Sequence, residues 1–214
     1  MHLMQTVRGL LLLLVMAATE AVASPGQWLF KVRLDDKPIG QHSFTRQGTA
    51  SDYSMDIRAD FKATLFLVVP FRYEHRNLER WQGGCLQAIE STTNDNGDAF
   101  DVKGRVKEGA FEITANGQTQ SLPACISTFA YWDPRLLQQT SLLNSQDGQY
   151  TAVKVRTLGE ETIKAMGKDL KATRYKLTAG ELTINLWYTP EGEWVRLESP
   201  VKGGMTLIYE RITP

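Results

Sequence analysis

The sequence has few of the residues that build metal centres and none of the motifs that mark the common enzyme classes. Its 214 residues include two cysteines and three histidines, and Cys85, Cys125, His42 and His75 show no metal-ligand spacing. A GxSxG elbow, an HExxH helix, a phosphate loop and a dinucleotide fingerprint are all missing. We therefore expect no metal and no cofactor, and we assign no catalytic residue.

The sequence also lacks an excess of charge of either sign. Lysine and arginine number 24, and aspartate and glutamate also number 24, so the net charge is zero. A neutral chain gains nothing from the release of counterions on nucleic acid, and it has no basic block for anionic lipid. We expect no nucleic-acid partner. A neutral or apolar small molecule, such as a lipid, or another protein fits this composition better.

The first 23 residues have the pattern of a secretory signal peptide. Arg8 precedes an apolar run at 10–18, and Ala21 and Ala23 provide the small residues of a cleavage site after Ala23. The run is shorter than the about 20 apolar residues that a membrane-spanning helix needs. We expect a periplasmic mature chain, a single domain at 24–214, with no transmembrane segment once the signal peptide is removed.

Cys85 and Cys125 both lie in the expected mature chain. An even pair of cysteines in an oxidising compartment indicates one disulfide bond, and two buried thiols are the alternative. No CxxC spacing is present, so we expect the bond to be structural and not redox-active.

Most of the chain shows the period of two that is typical of β-strands. Trp28, Phe30 and Val32 alternate with polar residues, and Asn96-Gly97 and Asn116-Gly117 suit the tight turns of hairpins. The pattern predicts about ten or more antiparallel strands. A sheet of that size curls because strands twist. The predicted fold is all-β (minor α): a large curled antiparallel sheet, or an incompletely closed half-barrel.

The stretch 125–146 breaks this alternation. Asp133 followed by Pro134 predicts the start of a short helix, with an apolar side made by Leu136, Leu137, Leu142 and Leu143. This segment could be a mobile lid over the open face of the sheet, or an ordinary cap over one end of the core. A disulfide from Cys125 would tie its base to the sheet.

Two further stretches carry the candidate site. In a strand at 70–82, one face would carry Tyr73, His75, Glu79 and Trp81 together with other residues. The opposite face would carry mainly charged residues. They could line a pocket and bind a polar head group, or form a buried, hydrogen-bonded cluster. The apolar run 64–71 predicts a buried strand, with an exposed apolar rim as the alternative.

Three groups of residues together resemble an exported bacterial family of unknown function. They are YEHR with ERW and CL at 73–86, FAYWDP with LLNSQ at 129–146, and LWY with GEW at 186–194. The likeness covers nearly the whole mature chain. It implies a fold similar to that of periplasmic lipoprotein carriers and receptors, which hold acyl chains on a concave face beneath a helical lid. It implies no catalytic residues.

Three functions remain open at this point. The first is a non-enzymatic binding or carrier protein for a lipid or acyl chain, with a site lined by Tyr73, His75, Glu79, Trp81, Phe129, Tyr131 and Trp132. The second is a structural or interaction module of an envelope complex. The third is a hydrolase of envelope lipid or glycan that uses His75 and Glu79 as acid and base. An empty apolar cavity would favour the first, solid packing the second and a polar cleft the third.

Overall fold

A computed structural model describes residues 26–65, 69–201 and 203–212, and the predicted signal peptide lies outside these ranges. The described residues form strands at Gly26–Leu34 (β1), Lys37–Gly48 (β2), Asp52–Leu65 (β3), Val69–Gln82 (β4), Cys85–Asp95 (β5), Asp98–Lys107 (β6), Ala110–Ala115 (β7), Gln118–Pro123 (β8), Ser141–Leu143 (β9), Tyr150–Ala152 (β10), Lys154–Ala165 (β11), Lys168–Ala179 (β12), Leu182–Tyr188 (β13), Trp194–Pro200 (β14) and Thr206–Arg211 (β15).

Thirteen of these strands form one antiparallel sheet. Its order is β11-β12-β13-β14-β15-β1-β2-β3-β4-β5-β6-β7-β8, so the first strand of the chain pairs with the last. The end strands β8 and β11 do not pair with each other, and the sheet therefore stays open. The predicted class, a large antiparallel sheet that does not close, is confirmed.

Strand β4 shows how the sequence pattern sets the two faces of the sheet. His75, Asn77, Glu79 and Trp81 are buried, whereas the intervening Arg72, Arg76, Leu78 and Arg80 are exposed. Successive side chains of a strand point to opposite faces, and the burial of one set removes its apolar surface from water. The predicted facing of this strand is confirmed.

The main core lies on the concave face of the sheet, and a second, smaller cluster lies on the opposite face. In the second cluster Trp187 and Val195 pack with Ala165 and Ala172 of the β11–β12 hairpin. The hairpin reaches across the sheet as far as β15, where the backbone N–H of Met166 donates to the carbonyl of Arg211. An inward-outward alternation alone would leave Trp187 exposed, and the long hairpin covers it.

Residues 124–153, here called the crossing segment, connect β8 to β11, the two ends of the sheet. The helix in this segment is one short 3-10 helix, Pro134–Gln138, capped as predicted by the side chain of Asp133. The prediction that four leucines form one apolar side of this helix is wrong in part. Leu142 and Leu143 belong to β9, which pairs with β10, because the hydrogen bonds of that hairpin replace further helical turns.

The apolar run at 64–71 is not one buried strand, and that prediction is wrong. Leu65 pairs with Val69, so the chain reverses direction inside the run, and Thr64 and Pro70 pair with each other across the two strands. Both Thr64 and Pro70 are exposed. Proline cannot donate a ladder hydrogen bond and is found near strand starts and edges, which agrees with its place beside this reversal.

The contact of the crossing segment with the sheet can be tested at Gly148. This glycine has φ +78°, and a Cβ atom added to it would lie 2.4 Å from Cβ of Ala115 in β7. Gly117 has φ +82° and open space around it. We expect Gly148→Ala to lower the unfolding free energy by about 1–3 kcal/mol more than Gly117→Ala does, because both changes strain the backbone but only the first creates a clash. Urea unfolding of the two variants measures the difference. Equal losses would contradict this packing.

Candidate ligand-binding site

A cavity of about 680 Å³ lies on the concave face, between the sheet and the crossing segment. Its sheet side carries mainly aliphatic and aromatic side chains, and the crossing segment adds aromatic and amide groups. The lining comprises Leu34, Ile39, His42, Phe44, Ile57, Phe61, Ala63, Phe71, Tyr73, His75, Glu79, Asp95, Thr128, Phe129, Tyr131, Trp132, Asn144, Ser145, Gln146, Leu182, Ile184, Leu197, Ser199, Val201, Met205, Leu207 and Tyr209. A concave apolar site with a few polar groups is typical of ligand pockets.

The strand register brings the two cavity histidines into one row. Ala59 of β3 pairs with His42 of β2 on one side and with His75 of β4 on the other, and His75 pairs with Thr93 of β5. The side chain between the imidazoles is therefore a single methyl group. Directly opposed residues of neighbouring strands are within contact distance of one another, so this row places both imidazoles on the same part of the cavity wall.

The next row of the sheet contains a gap in its side chains. Gly40 pairs with Phe61, and Phe61 pairs with Tyr73. Nδ1 of His42 lies 3.3 Å from the hydroxyl of Tyr209. Phe61 and Tyr73 stack with their ring centroids 5.3 Å apart, which gives this part of the wall a continuous aromatic surface.

Both histidines are held in the neutral form. Burial lowers the pKa of His75 to about 4, with a smaller contribution from Arg76. Burial also lowers the pKa of His42 well below 6.5, and His75 adds to the effect. Nε2 of His42 is buried without a hydrogen-bond partner among the described residues. The tautomer of His42 decides whether Nδ1 or the hydroxyl of Tyr209 is the donor in their contact.

Glu79 is a buried carboxylate with three donors around it. It accepts hydrogen bonds from the amide of Asn77 at 2.8 Å, from Nε1 of Trp81 at 2.8 Å and from the hydroxyl of Thr128 at 3.3 Å. Burial raises the pKa of this carboxyl from 4.5 to about 7, although the three hydrogen bonds act in the opposite direction. Thr128 belongs to the crossing segment, so Glu79 links that segment to the sheet.

A second polar link joins the sheet to the crossing segment at Gln146. The hydroxyl of Tyr73 donates to Oε1 of Gln146 at 3.2 Å, and Nε2 of Gln146 donates to Asp95 at 3.3 Å. The hydroxyl of Ser91 donates to the carbonyl of Ser145 nearby. These polar groups satisfy one another and leave the aromatic faces as the main free surface of the wall.

The disulfide bond fixes one end of the crossing segment. Cys85 and Cys125 are joined, with their Cα atoms 4.8 Å apart, and the N–H of Leu86 donates to the carbonyl of Ile126. Near the other half of the sheet, the hydroxyl of Tyr188 donates to the carbonyl of Tyr131 at 2.8 Å. The segment is thus attached to both halves of the sheet.

Six of the seven residues proposed from the sequence line the cavity: Tyr73, His75, Glu79, Phe129, Tyr131 and Trp132. Trp81 does not line it. Its indole is 1 % exposed, donates to Glu79 and meets Trp132 edge-on. It therefore packs beside the cavity and not in its lining, because the crossing segment covers this end of β4.

The sequence interpretation missed His42, Phe61, Gln146 and Tyr209 as cavity residues. The pattern around His42 does place it in a strand on the face of Phe44. Nothing local shows, however, that this face meets Tyr73 and Tyr209, because that depends on the register of strands distant in sequence. Gln146 lies in the segment without alternation, where no periodicity assigns a side.

No group of three or more His, Cys, Asp or Glu residues in the described ranges is arranged to hold a metal ion. Nor does the described part of the chain contain a helix with the length and apolar content needed to cross a bilayer.

The open sheet, the crossing segment and the cavity define an incompletely closed, barrel-like β-protein with an internal apolar site. The chain belongs to the family described as a domain of unknown function, DUF6134, which it matches over residues 30–212. A search of curated proteins finds no match.

One similar solved structure is the crystal structure of a beta-barrel-like protein of domain of unknown function DUF1849 from Brucella abortus. The two structures superpose with a TM-score of 0.64 and 10% sequence identity, over 88% of this chain and 96% of the other. At that identity the likeness shows the fold alone, which agrees with the open barrel described above.

Proposed function

We propose that the protein binds a single-chain apolar molecule, such as a lipid or acyl chain, in the cavity and acts without catalysis. The observation that carries this proposal is the cavity of about 680 Å³ between the sheet and the crossing segment. Small-molecule sites occupy about 300–1,000 Å³ and combine apolar walls with a few polar groups. This cavity has that size and that composition.

The distribution of polar contacts favours binding over the two alternative functions. A purely structural module would have a filled interior, and this interior holds a cavity. A hydrolase using His75 and Glu79 would need the two groups to face one reacting centre. His75 instead contacts Thr93 at 2.8 Å, and Glu79 is engaged by Asn77, Trp81 and Thr128.

We further propose that the protein works in the periplasm, where it carries or holds its ligand near the cell envelope. The bond between Cys85 and Cys125 supports an oxidising compartment, and the sequence pattern of residues 1–23 supports export. Fractionation of cells, with N-terminal sequencing of the periplasmic form, tests both parts. A start at Ser24 is the expected result.

Native mass spectrometry of the periplasmic protein, followed by organic extraction, tests the binding proposal. A co-purifying apolar species that is released by extraction is expected. A protein that is free of such species, and that stays free after incubation with envelope lipids, would contradict the proposal.

Filling the cavity provides a matched test. Ala63 lines the cavity, whereas Ala99 in β6 is exposed. We expect Ala63→Trp to weaken binding of a neutral fluorescent apolar probe by at least about tenfold, because an indole occupies space that the ligand needs. Ala99→Trp should leave the affinity unchanged. Equal affinities of the two variants would place the ligand outside this cavity.

A further inference from the structure

The charges along the cavity wall bear on the kind of ligand head group that the cavity accepts. No lysine or arginine is among the described residues that line it, and the ionisable lining groups in those ranges are two histidines, two carboxyls and the tyrosines. Burial keeps His42 and His75 neutral. The described part of the wall therefore offers no positive charge to an anionic head group. An anion brought into such a site loses its hydration without gaining a partner ion.

The wall does offer hydroxyl donors. The Tyr131 side chain forms no hydrogen bond with the described residues, although it lines the cavity and contacts the rings of Phe129 and Trp194. The hydroxyl of Tyr209 lies 3.3 Å from Nδ1 of His42, and the tautomer of His42 decides which of the two groups is the donor. The hydroxyl of Tyr131 can donate to an oxygen atom of a ligand.

Tyr73 and Tyr209 line the same cavity as Tyr131. The hydroxyl of Tyr73 is already used by Gln146, which leaves the Tyr131 hydroxyl as a free donor. A hydroxyl can donate to the carbonyl of an ester as well as to a carboxylate, so the cost of desolvating the anion, and not the donor, sets the preference for an uncharged head group.

We infer that the cavity selects an uncharged lipid with an oxygen-bearing head group, such as an acyl ester, over a fatty-acid anion. This inference rests on the proposed binding function and adds the chemical class of the ligand. It follows from the free hydroxyl of Tyr131 in the cavity and from the lack of lysine and arginine among the described lining residues.

Two twelve-carbon probes that differ in charge test the inference: methyl dodecanoate and dodecanoate. Each is used at low concentration to displace a neutral fluorescent probe from the full mature protein, at about pH 8, where dodecanoate is ionised. We expect the ester to bind at least about tenfold more tightly than dodecanoate. Equal or tighter binding of dodecanoate would overturn the inference and leave the proposed function intact. Failure of the fluorescent probe and of both compounds to bind would instead contradict the proposed function.

The hydroxyl of Tyr131 is tested by Tyr131→Phe, with Tyr175→Phe as the matched control. Tyr175 lies in β12, packs against Tyr188 and does not line the cavity. We expect Tyr131→Phe to weaken binding of methyl dodecanoate by about threefold to tenfold, the loss of one hydrogen bond. Tyr175→Phe should leave this affinity unchanged. If Tyr131→Phe binds the ester like the wild type, this hydroxyl does not select the head group.

Discussion

Replacing both Cys85 and Cys125 by serine is expected to lower the free energy of unfolding by about 4 kcal/mol. The bond joins residues separated by 40 positions, and a cross-link of that span removes many conformations from the unfolded chain. It also holds the start of the crossing segment beside β5, where the N–H of Leu86 donates to the carbonyl of Ile126. The loss should therefore be accompanied by weaker binding in the cavity below that segment.

Urea unfolding under oxidising and reducing conditions measures this effect. The wild-type protein with a reductant should approach the stability of the double serine variant, and the reductant should not alter the variant itself. The second result is the control for general effects of the reductant. A loss below about 1 kcal/mol would mean that the bond adds little to a crossing segment already held by its other contacts.

The Glu79 carboxyl should make stability depend on pH. Burial raises its pKa from 4.5 to about 7, so the folded protein holds this proton at pH values where the unfolded chain has lost it. The resulting contribution to stability is fully present below about pH 4.5 and is lost as the pH rises through about 7. It amounts to about 3 kcal/mol at most. We expect Glu79→Gln, which stays neutral, to remove this loss.

The comparison between wild type and variant has to be made at each pH, because the histidines act in the opposite direction. The pKa of His75 is lowered to about 4, so its contribution is lost as the pH falls from about 6.5 towards 4. Urea unfolding from about pH 4 to pH 8 should show the variant gaining on the wild type as the pH rises. Glu90→Gln is the control, since Glu90 is an exposed residue of the adjacent strand. If the wild type and Glu79→Gln show parallel pH dependence, Glu79 does not hold its proton near neutral pH.

The amide of Asn77 offers a structural reason why glutamine should be accepted at position 79. The Nδ2 group of Asn77 donates to Glu79, while its Oδ1 is buried without a partner among the described residues. A rotated Asn77 amide would accept a proton from a neutral carboxyl or from a glutamine amide. The site can therefore satisfy a neutral group at least as well as a charged one.

Much of the fold could be predicted from local patterns. The alternation in β4 assigned the inward faces of His75, Glu79 and Trp81 correctly, because the side-chain period of a strand is two wherever one face is buried. Asn96 and Asn116 have positive φ angles and each precedes a glycine, as the turn pattern predicted. The capping role of Asp133 also followed from its place before a proline.

Predictions failed where a stretch read as one element turns back and pairs with the next segment along the chain. Leu142 and Leu143 form β9 through hydrogen bonds to β10, which a helical pattern of leucines does not reveal. The apolar run at 64–71 divides between two strands because Leu65 pairs with Val69. In both places the pairing of two neighbouring strands overrides the preference of the single stretch.

The sequence by itself determined the strand character of the chain, the inward side of each alternating stretch, the turns and the presence of two cysteines able to pair. Those features depend on residues that are neighbours along the chain. Only the tertiary structure decided that Ala59 separates His42 from His75, that His42 lies beside Tyr209, and that Trp81 is not part of the cavity lining. These arrangements depend on strand register and on the path of the crossing segment, which hydrogen bonds between distant parts of the chain establish.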